Sequence, residues 1–358
     1  MNSTSNSLIQ TVLAAAGSLV LSVAATQAGD WSAWRGPLGK GIAEAGQQPP
    51  VEWSETTNVV WKTPVPGRGH SSPTIHGNRI YLASADEQQQ QQKLVAFERG
   101  TGRQVWITTL SSGGFPKTHP KNTHATCTVA CDGERLFVTF HHHDRLTLHA
   151  VDLDGGPLWQ QDIGPYNPKK YEYGYAPSPT LYEDLVIVVA DVEHGGYLSA
   201  YDRATGRRVW QQDRYDNYSF SSPIVANVAG RDQLLLCGCE YVTSYDPATG
   251  KPLWSVKGTT YATCGTVVWD GDIVYASGGF PGAETLAVRV TPDGAGEVLW
   301  RNRQRCYEQS LLAHGGYLYA VTDQGIAYCW RGEDGEEMWR ERLSEPISSS
   351  PILSGETI

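Results

Sequence analysis

Ala200-Tyr201-Asp202-Arg203-Ala204-Thr205-Gly206-Arg207-Arg208-Val209-Trp210 is the stretch on which the reading of the fold turns. Asp and Thr bond readily to nearby backbone, and Gly supplies a positive φ, so Asp-x-x-Thr-Gly reads as a tight turn. The flanks, Leu198-Ser199-Ala200-Tyr201 before it and Val209-Trp210 after it, read as strands. The pattern recurs as Ala96, Glu98, Thr101, Gly102 and Trp106, and as Ser244, Asp246, Thr249, Gly250 and Trp254. Cys329, Gly335 and Trp339 are a weaker copy at the same spacing, the unit ending at Trp159 is one residue short, and the unit ending at Trp300 is degenerate.

Working outward, Trp falls at 61, 106, 159, 210, 254, 300 and 339, with gaps of 45, 53, 51, 44, 46 and 39. Repeats of that length mean a stacked or circular array. Units open on Ser71-Ser72-Pro73, Pro177-Ser178-Pro179 or Ser221-Ser222-Pro223, and contain short β-rich runs such as Arg79-Ile80-Tyr81-Leu82 and Leu94-Val95-Ala96-Phe97. His76-Gly77-Asn78, Asp270-Gly271-Asp272 and His314-Gly315-Gly316 are hairpin turns between the first two runs. No sustained helical period appears in residues 50–358. The expected fold is therefore all-β: a β-propeller of four-stranded antiparallel blades, each sheet burying its faces against its neighbours.

Ala-x-Asp-x-x-Thr-Gly-x-x-x-Trp is the tryptophan-docking motif of quinoprotein propellers. Over about residues 58–358 the chain resembles the bacterial PQQ-like (quinoprotein-type) repeat family, which includes the outer-membrane assembly factor of the β-barrel machinery. The resemblance implies that Trp61, Trp106, Trp159, Trp210, Trp254, Trp300 and Trp339 pack between blades against the Gly-bearing turns. It also implies eight blades in a full member. Six repeats are complete here; a seventh opens at Ser348-Ser349-Ser350-Pro351, and Asn58-Val59-Val60-Trp61-Lys62 reads as the outer strand that closes the ring. An open ring exposes strand edges, so the expectation is a propeller truncated at the C-terminus.

Met1–Gln10 is polar, Val12–Ala25 is apolar, and Thr26-Gln27-Ala28 is a small-x-small cleavage site, so residues 1–28 read as a signal peptide even without Lys or Arg at the start. The apolar part is shorter than a spanning helix needs, and no later segment could cross. Residues 29–57 read as an irregular segment before the propeller at 58–358. The implied location is periplasmic or secreted. Of the residues, 40% are hydrophobic and 18% charged, which supports a folded core, and the net charge of −10 argues against nucleic-acid partners. A monomer is expected. The seven Cys, at 127, 131, 237, 239, 264, 306 and 329, lie in apolar runs and read as buried thiols rather than disulfides.

In a propeller the loops leading into the innermost strands gather on one face. Arg68 and His70; Lys121, Asn122 and His124; Tyr173 and Tyr175; Tyr218; Tyr261 and Cys264; and Tyr307, Glu308 and Gln309 precede such strands, and so are candidates for a ligand-binding channel mouth. No catalytic residue is assigned: Gly-x-Ser-x-Gly, phosphate-loop and His-Glu-x-x-His patterns are missing. No metal site is expected. His141-His142-His143-Asp144 sits at a hairpin, and the Gln88–Gln92 run at the equivalent hairpin reads as a solvated loop. The family's dehydrogenases carry adjacent cysteines over the quinone, and a Ca²⁺ held by several oxygens. This chain has only Cys237-Gly238-Cys239, and Glu308 is the one acid among the mouth candidates. The expectation is a cofactor-free binding scaffold for protein, peptide or polysaccharide at the cell envelope. The alternative is a pyrroloquinoline-quinone- and Ca²⁺-dependent oxidoreductase of alcohols or sugars.

Overall fold

The computed structural model describes residues 29–343 and 346–358; the signal-peptide reading of residues 1–28 lies outside them. Six four-stranded antiparallel sheets follow one another along the chain. The first holds β1 (Thr74–His76), β2 (Arg79–Asp86), β3 (Gln91–Glu98) and β4 (Gln104–Ser112). The second holds β5 (Ala130–Cys131), β6 (Arg135–His142), β7 (Arg145–Asp152) and β8 (Pro157–Pro165). The third holds β9 (Thr180–Tyr182), β10 (Leu185–Ala190), β11 (Tyr197–Asp202) and β12 (Arg208–Asp213). The fourth holds β13 (Ile224–Val228), β14 (Arg231–Gly238), β15 (Tyr241–Tyr245) and β16 (Pro252–Lys257). The fifth holds β17 (Val268–Asp270), β18 (Ile273–Gly278), β19 (Glu284–Val290) and β20 (Gly296–Asn302), and the sixth β21 (Leu312–His314), β22 (Tyr317–Val321), β23 (Ile326–Arg331) and β24 (Glu337–Arg342). These are blades of a β-propeller.

The repeated motif does the same mechanical work in blade after blade. Its small residue pairs with the Trp across the two outer strands, as Ala200 does with Trp210 and Ala96 with Trp106, and the register then shifts by one residue. Such a bulge twists and re-aims the outer strand. Asp202 Oδ1 accepts from the backbone N–H of Thr205 at 2.8 Å and from its hydroxyl at 2.7 Å, which closes the turn. Gly206 then adopts φ 71°, and the Trp of the preceding blade settles on it. A Cβ at Gly102, Gly155, Gly206, Gly250 or Gly335 would come within 2.4–2.8 Å of Trp61, Trp106, Trp159, Trp210 or Trp300 respectively. The same five indoles donate to the carbonyls of Arg99, Leu153, Arg203, Pro247 and Gly332 at 2.8–3.2 Å.

Three positions depart from the pattern. Trp254 lies against Gly296 and donates to the side-chain Oε1 of Gln233, consistent with the degenerate turn of the fifth unit. Trp339 is 46% exposed, and no turn covers it among the described residues. Residues 58–63 form no ladder there, although Trp61 still docks on the first blade.

Near the axis the blades are linked by a second device. The backbone N–H of Ser72 donates to the Thr128 hydroxyl, Thr128 to Ser178, Ser178 to Ser222, Thr266 to Ser310, and Ser310 to Ser350, all at 2.9–3.0 Å. A Ser or Thr at this position thus satisfies a backbone donor of the neighbouring blade that no ladder reaches.

The irregular segment 29–43 crosses the end of the axis where the innermost strands turn back. Trp31 bridges to Ile75, Ile42 to Leu353, and Trp34 donates to the Thr266 hydroxyl at 2.7 Å. Arg35 is 4% exposed and gives its guanidinium to the carbonyls of Pro351, Leu311 and Lys40. Burial lowers its pKa to about 10. The segment ties the first, second, fifth and sixth blades to one another and to the irregular stretch 351–353.

Candidate functional site

At the other end of the axis, the loops that enter the innermost strands converge. Lys121, before β5, makes an ion pair with Glu308, before β21, at 3.6 Å, so loops of the second and sixth blades meet. Thr118 and Asn122 both donate to the Tyr173 carbonyl, at 3.0 and 2.6 Å, and Lys117 pairs with Glu172 at 2.6 Å. These contacts fix the loop 166–179 against the loop 113–122.

The sequence candidates divide into two groups. Arg68, His70, Lys121 and Tyr173 are exposed on the rim. Arg68 donates to the Pro120 carbonyl and faces Glu87 at 3.5 Å. Partial desolvation by the neighbouring loops, with the Arg68 charge, holds His70 below the ordinary histidine range although its side chain reaches solvent. His124 stacks on Phe115 at 4.1 Å and donates through Nε2 to the Pro116 carbonyl, so its role is to hold the loop 113–122. Tyr307 packs over Gly279, and its backbone N–H goes to Asp323. By contrast Tyr175, Tyr218 and Gln309 are 6%, 2% and 1% exposed. Tyr175 donates to the Val189 carbonyl at 2.9 Å, and Gln309 donates through Nε2 to the Ile347 carbonyl. These three are supports under the mouth, and no incoming ligand could touch them without rearrangement.

Sequence reasoning missed the centre of the surface. Tyr171 stands among Tyr173, Tyr218, Tyr261 and Phe280, with ring centroids at 5.7, 4.9, 6.5 and 6.0 Å. Phe220 and His119 flank Tyr173 at 5.9 and 5.0 Å. Rings from the loops before β9, β13 and β17 and from the β18–β19 turn thus form one continuous patch. The signal was present in Lys169-Lys170-Tyr171-Glu172-Tyr173-Gly174-Tyr175: Tyr171 and Tyr173 are two residues apart, a spacing that turns side chains of an extended loop to the same side. Beside the patch, Arg68, Glu87, Phe115, Lys117 and His119 line a groove of about 390 Å³.

Electrostatically, acids at the mouth are engaged by neighbouring cations. Glu308 is taken by Lys121 and Asp323 by Arg305 at 2.7 Å. The buried Asp191 is held by Arg214 at 2.8 Å. Among the described residues no three His, Cys, Asp or Glu side chains are placed to share a metal ion. In the His141–Asp144 run, His143 and Asp144 form the β6–β7 turn with φ 51° and 56°, so His141 and His143 do not share a strand face. His141 instead donates through Nε2 to the buried Tyr166 carbonyl at 2.8 Å. Gln92, read as part of a solvated loop, is in β3, fully buried, and donates to the His124 and His141 carbonyls. All seven cysteines are free thiols, and Cys239 leaves the strand with φ 53°. Among the described residues, the donors required for a quinone with a hard cation are not assembled here: neither a cluster of carboxylates nor an adjacent thiol pair faces the mouth.

Comparison with known proteins agrees with the repeat reading. A family model described as outer membrane protein assembly factor BamB matches residues 44–113, 90–291 and 282–358. The outer membrane protein assembly factor BamB of Burkholderia pseudomallei (strain K96243) is 26% identical over 201 residues, 54% of this chain and 46% of that protein. The chain therefore spans about half the length of this curated relative. The crystal structure of BamB from Moraxella catarrhalis superposes with a TM-score of 0.55 at 17% identity, covering 79% of this chain and 78% of that one. A europium-containing methanol dehydrogenase superposes with a TM-score of 0.60 at 11% identity, covering 91% and 88%. At those identities the two structures speak for the fold alone.

Proposed function

This chain belongs to the outer membrane protein assembly factor BamB family, and from that premise we propose that it is a binding scaffold for protein partners at the cell envelope, with the aromatic channel mouth as its recognition surface. The observation that carries this reading is the patch around Tyr171. Exposed aromatic rings on loops, held by a rigid ring of sheets, are what a polypeptide-binding face needs: large contact area at small entropic cost. Tyr173 and Phe280 are 37% and 42% exposed within this patch. Export to the periplasm or the medium completes the proposal. Polysaccharide is the second partner class, because stacked rings such as Tyr171 and Tyr173 also suit sugar faces.

The competing reading is a quinoprotein oxidoreductase, to which the likeness to methanol dehydrogenase points. The residues at this mouth do not fit it. The Glu308 and Asp323 carboxylates are paired with Lys121 and Arg305, and the patch is built of tyrosines rather than oxygen ligands. Calorimetric titration with pyrroloquinoline quinone and Ca²⁺ separates the two. The scaffold reading expects no saturable heat; submicromolar, Ca²⁺-dependent binding overturns it.

A further inference from the structure

Lys170 stands at the edge of the aromatic patch. Its ammonium lies 5.0 Å from the Tyr261 ring centroid and 5.3 Å from that of Tyr171. No carboxylate is within ion-pair distance of it among the described residues, so the two rings are its electrostatic partners. Its backbone is pinned: the N–H groups of Lys169 and Lys170 both reach Glu193 Oε1. The rings are pinned as well, because the Tyr218 ring contacts both Tyr171 and Tyr261, at 4.9 and 6.3 Å. The exposed side chain alone is left free to move. A preformed pair of tyrosine faces holding a displaceable cation is the arrangement that recognises ammonium and guanidinium groups.

We propose that Tyr171 and Tyr261 form the subsite for an arginine or lysine side chain of a partner polypeptide, and that Lys170 fills it in the free protein as an internal occupant. This rests on the reading of the mouth as a polypeptide-binding surface. The net charge of −10 favours approach of a cationic segment. Arginine is the preferred guest, since a guanidinium is more weakly hydrated than an ammonium and stacks on aromatic faces. The cost of expelling Lys170 is small, because a cation–π contact at an exposed site is weak and the freed side chain regains its rotamers.

The test is a titration of the full chain with the peptide acetyl-Gly-Arg-Gly-Arg-Gly-amide and with its neutral citrulline counterpart. The arginine peptide is expected to bind roughly tenfold more tightly than the citrulline peptide. Lys170→Ala, on the surface and outside every ladder, removes the competitor and is expected to tighten arginine-peptide binding by about three- to fivefold. Tyr261→Ala is expected to abolish the preference. Equal binding of the two peptides, or a Lys170→Ala variant that binds no more tightly, overturns the proposal. Binding of a chitotetraose or maltohexaose probe that depends on Tyr171, with no arginine preference, overturns it as well. Failure here is distinct from failure of the scaffold reading, which is decided by quinone calorimetry and by where partners crosslink, whatever the charge of the peptide.

Discussion

The ring of Trp159 lies against the turn of the next blade at Gly206, with its indole N–H 3.0 Å from the Arg203 carbonyl. Gly206 sits at φ 71°, and a Cβ there would come within 2.7 Å of the ring. Gly206→Ala therefore meets both backbone strain and a clash, and is expected to destabilise by about 2–3 kcal/mol. Trp159→Phe loses the hydrogen bond and part of the packing, for about 1–2 kcal/mol. Trp339→Phe, at an uncovered ring, is expected to stay within about 0.5 kcal/mol. Urea unfolding of the three variants checks the order; equal costs at Trp159 and Trp339 would remove the docking account.

Arg35 is a buried cation held by the nearby Lys40 carbonyl and by two carbonyls from distant parts of the chain, Leu311 and Pro351. Arg35→Ala orphans those carbonyls at the junction of the segment 29–43 with the sixth blade and the stretch 351–353. The expected loss is about 3 kcal/mol, with faster hydrogen exchange at Leu353 and Ala43, which are joined by a backbone hydrogen bond. Unchanged exchange at those amides would show that the segment does not tie the ring.

The two most deeply buried histidines, His141 and His149, dominate the dependence of stability on pH. Burial lowers the His141 pKa from 6.5 to about 4 and that of His149 from 6.5 to about 3. Both are neutral in the folded chain and free to take a proton when unfolded. Between pH 6.5 and those depressed values the unfolded state binds the extra protons, so stability is full above pH 6.5 and falls on acidification. From about pH 7 to about pH 5 the expected loss is about 2 kcal/mol from each. Denaturant titrations at the two pH values measure it, and His149→Leu should remove about half of the slope.

The cysteines are expected to be silent in the native state. Burial pushes the thiols of Cys127, Cys237, Cys264 and Cys306 up to about 12 and that of Cys131 to about 11. Nucleophilic thiolate is therefore scarce at neutral pH. Mass spectrometry after brief iodoacetamide treatment should find no more than trace label on the folded chain and label on all seven cysteines in denaturant. Rapid native labelling of Cys264, which is the least buried of the seven, would contradict this.

The blade architecture was legible because its grammar is local. Asp202, Thr205 and Gly206 make their turn within five residues, and the Trp that follows is fixed by the same hairpin. The hydroxyl links from Ser72 to Thr128 and from Ser310 to Ser350 were hidden, because a Ser or Thr before a Pro or within a β-rich run looks like ordinary turn chemistry until neighbouring blades meet. The segment 29–43 carries no periodicity, and its order comes from partners up to 316 residues away, such as Pro351 for Arg35. At the mouth, loop membership was readable but side-chain direction was not. That is why Tyr175, Tyr218 and Gln309 are supports, while Tyr171 and Phe280 do not stand out from loop membership alone.

The measurement that bears most directly on the central claim is site-specific photo-crosslinking of the full chain in its native envelope. A benzophenone residue replaces Tyr173 on the aromatic mouth or Asn227, exposed near the end of β13 on the opposite face. The account predicts a discrete protein adduct from position 173 that is lost when Tyr171→Ala is added, and none from position 227. Adducts from 227 and none from 173 would place the working surface at the wrong end of the ring and contradict the account.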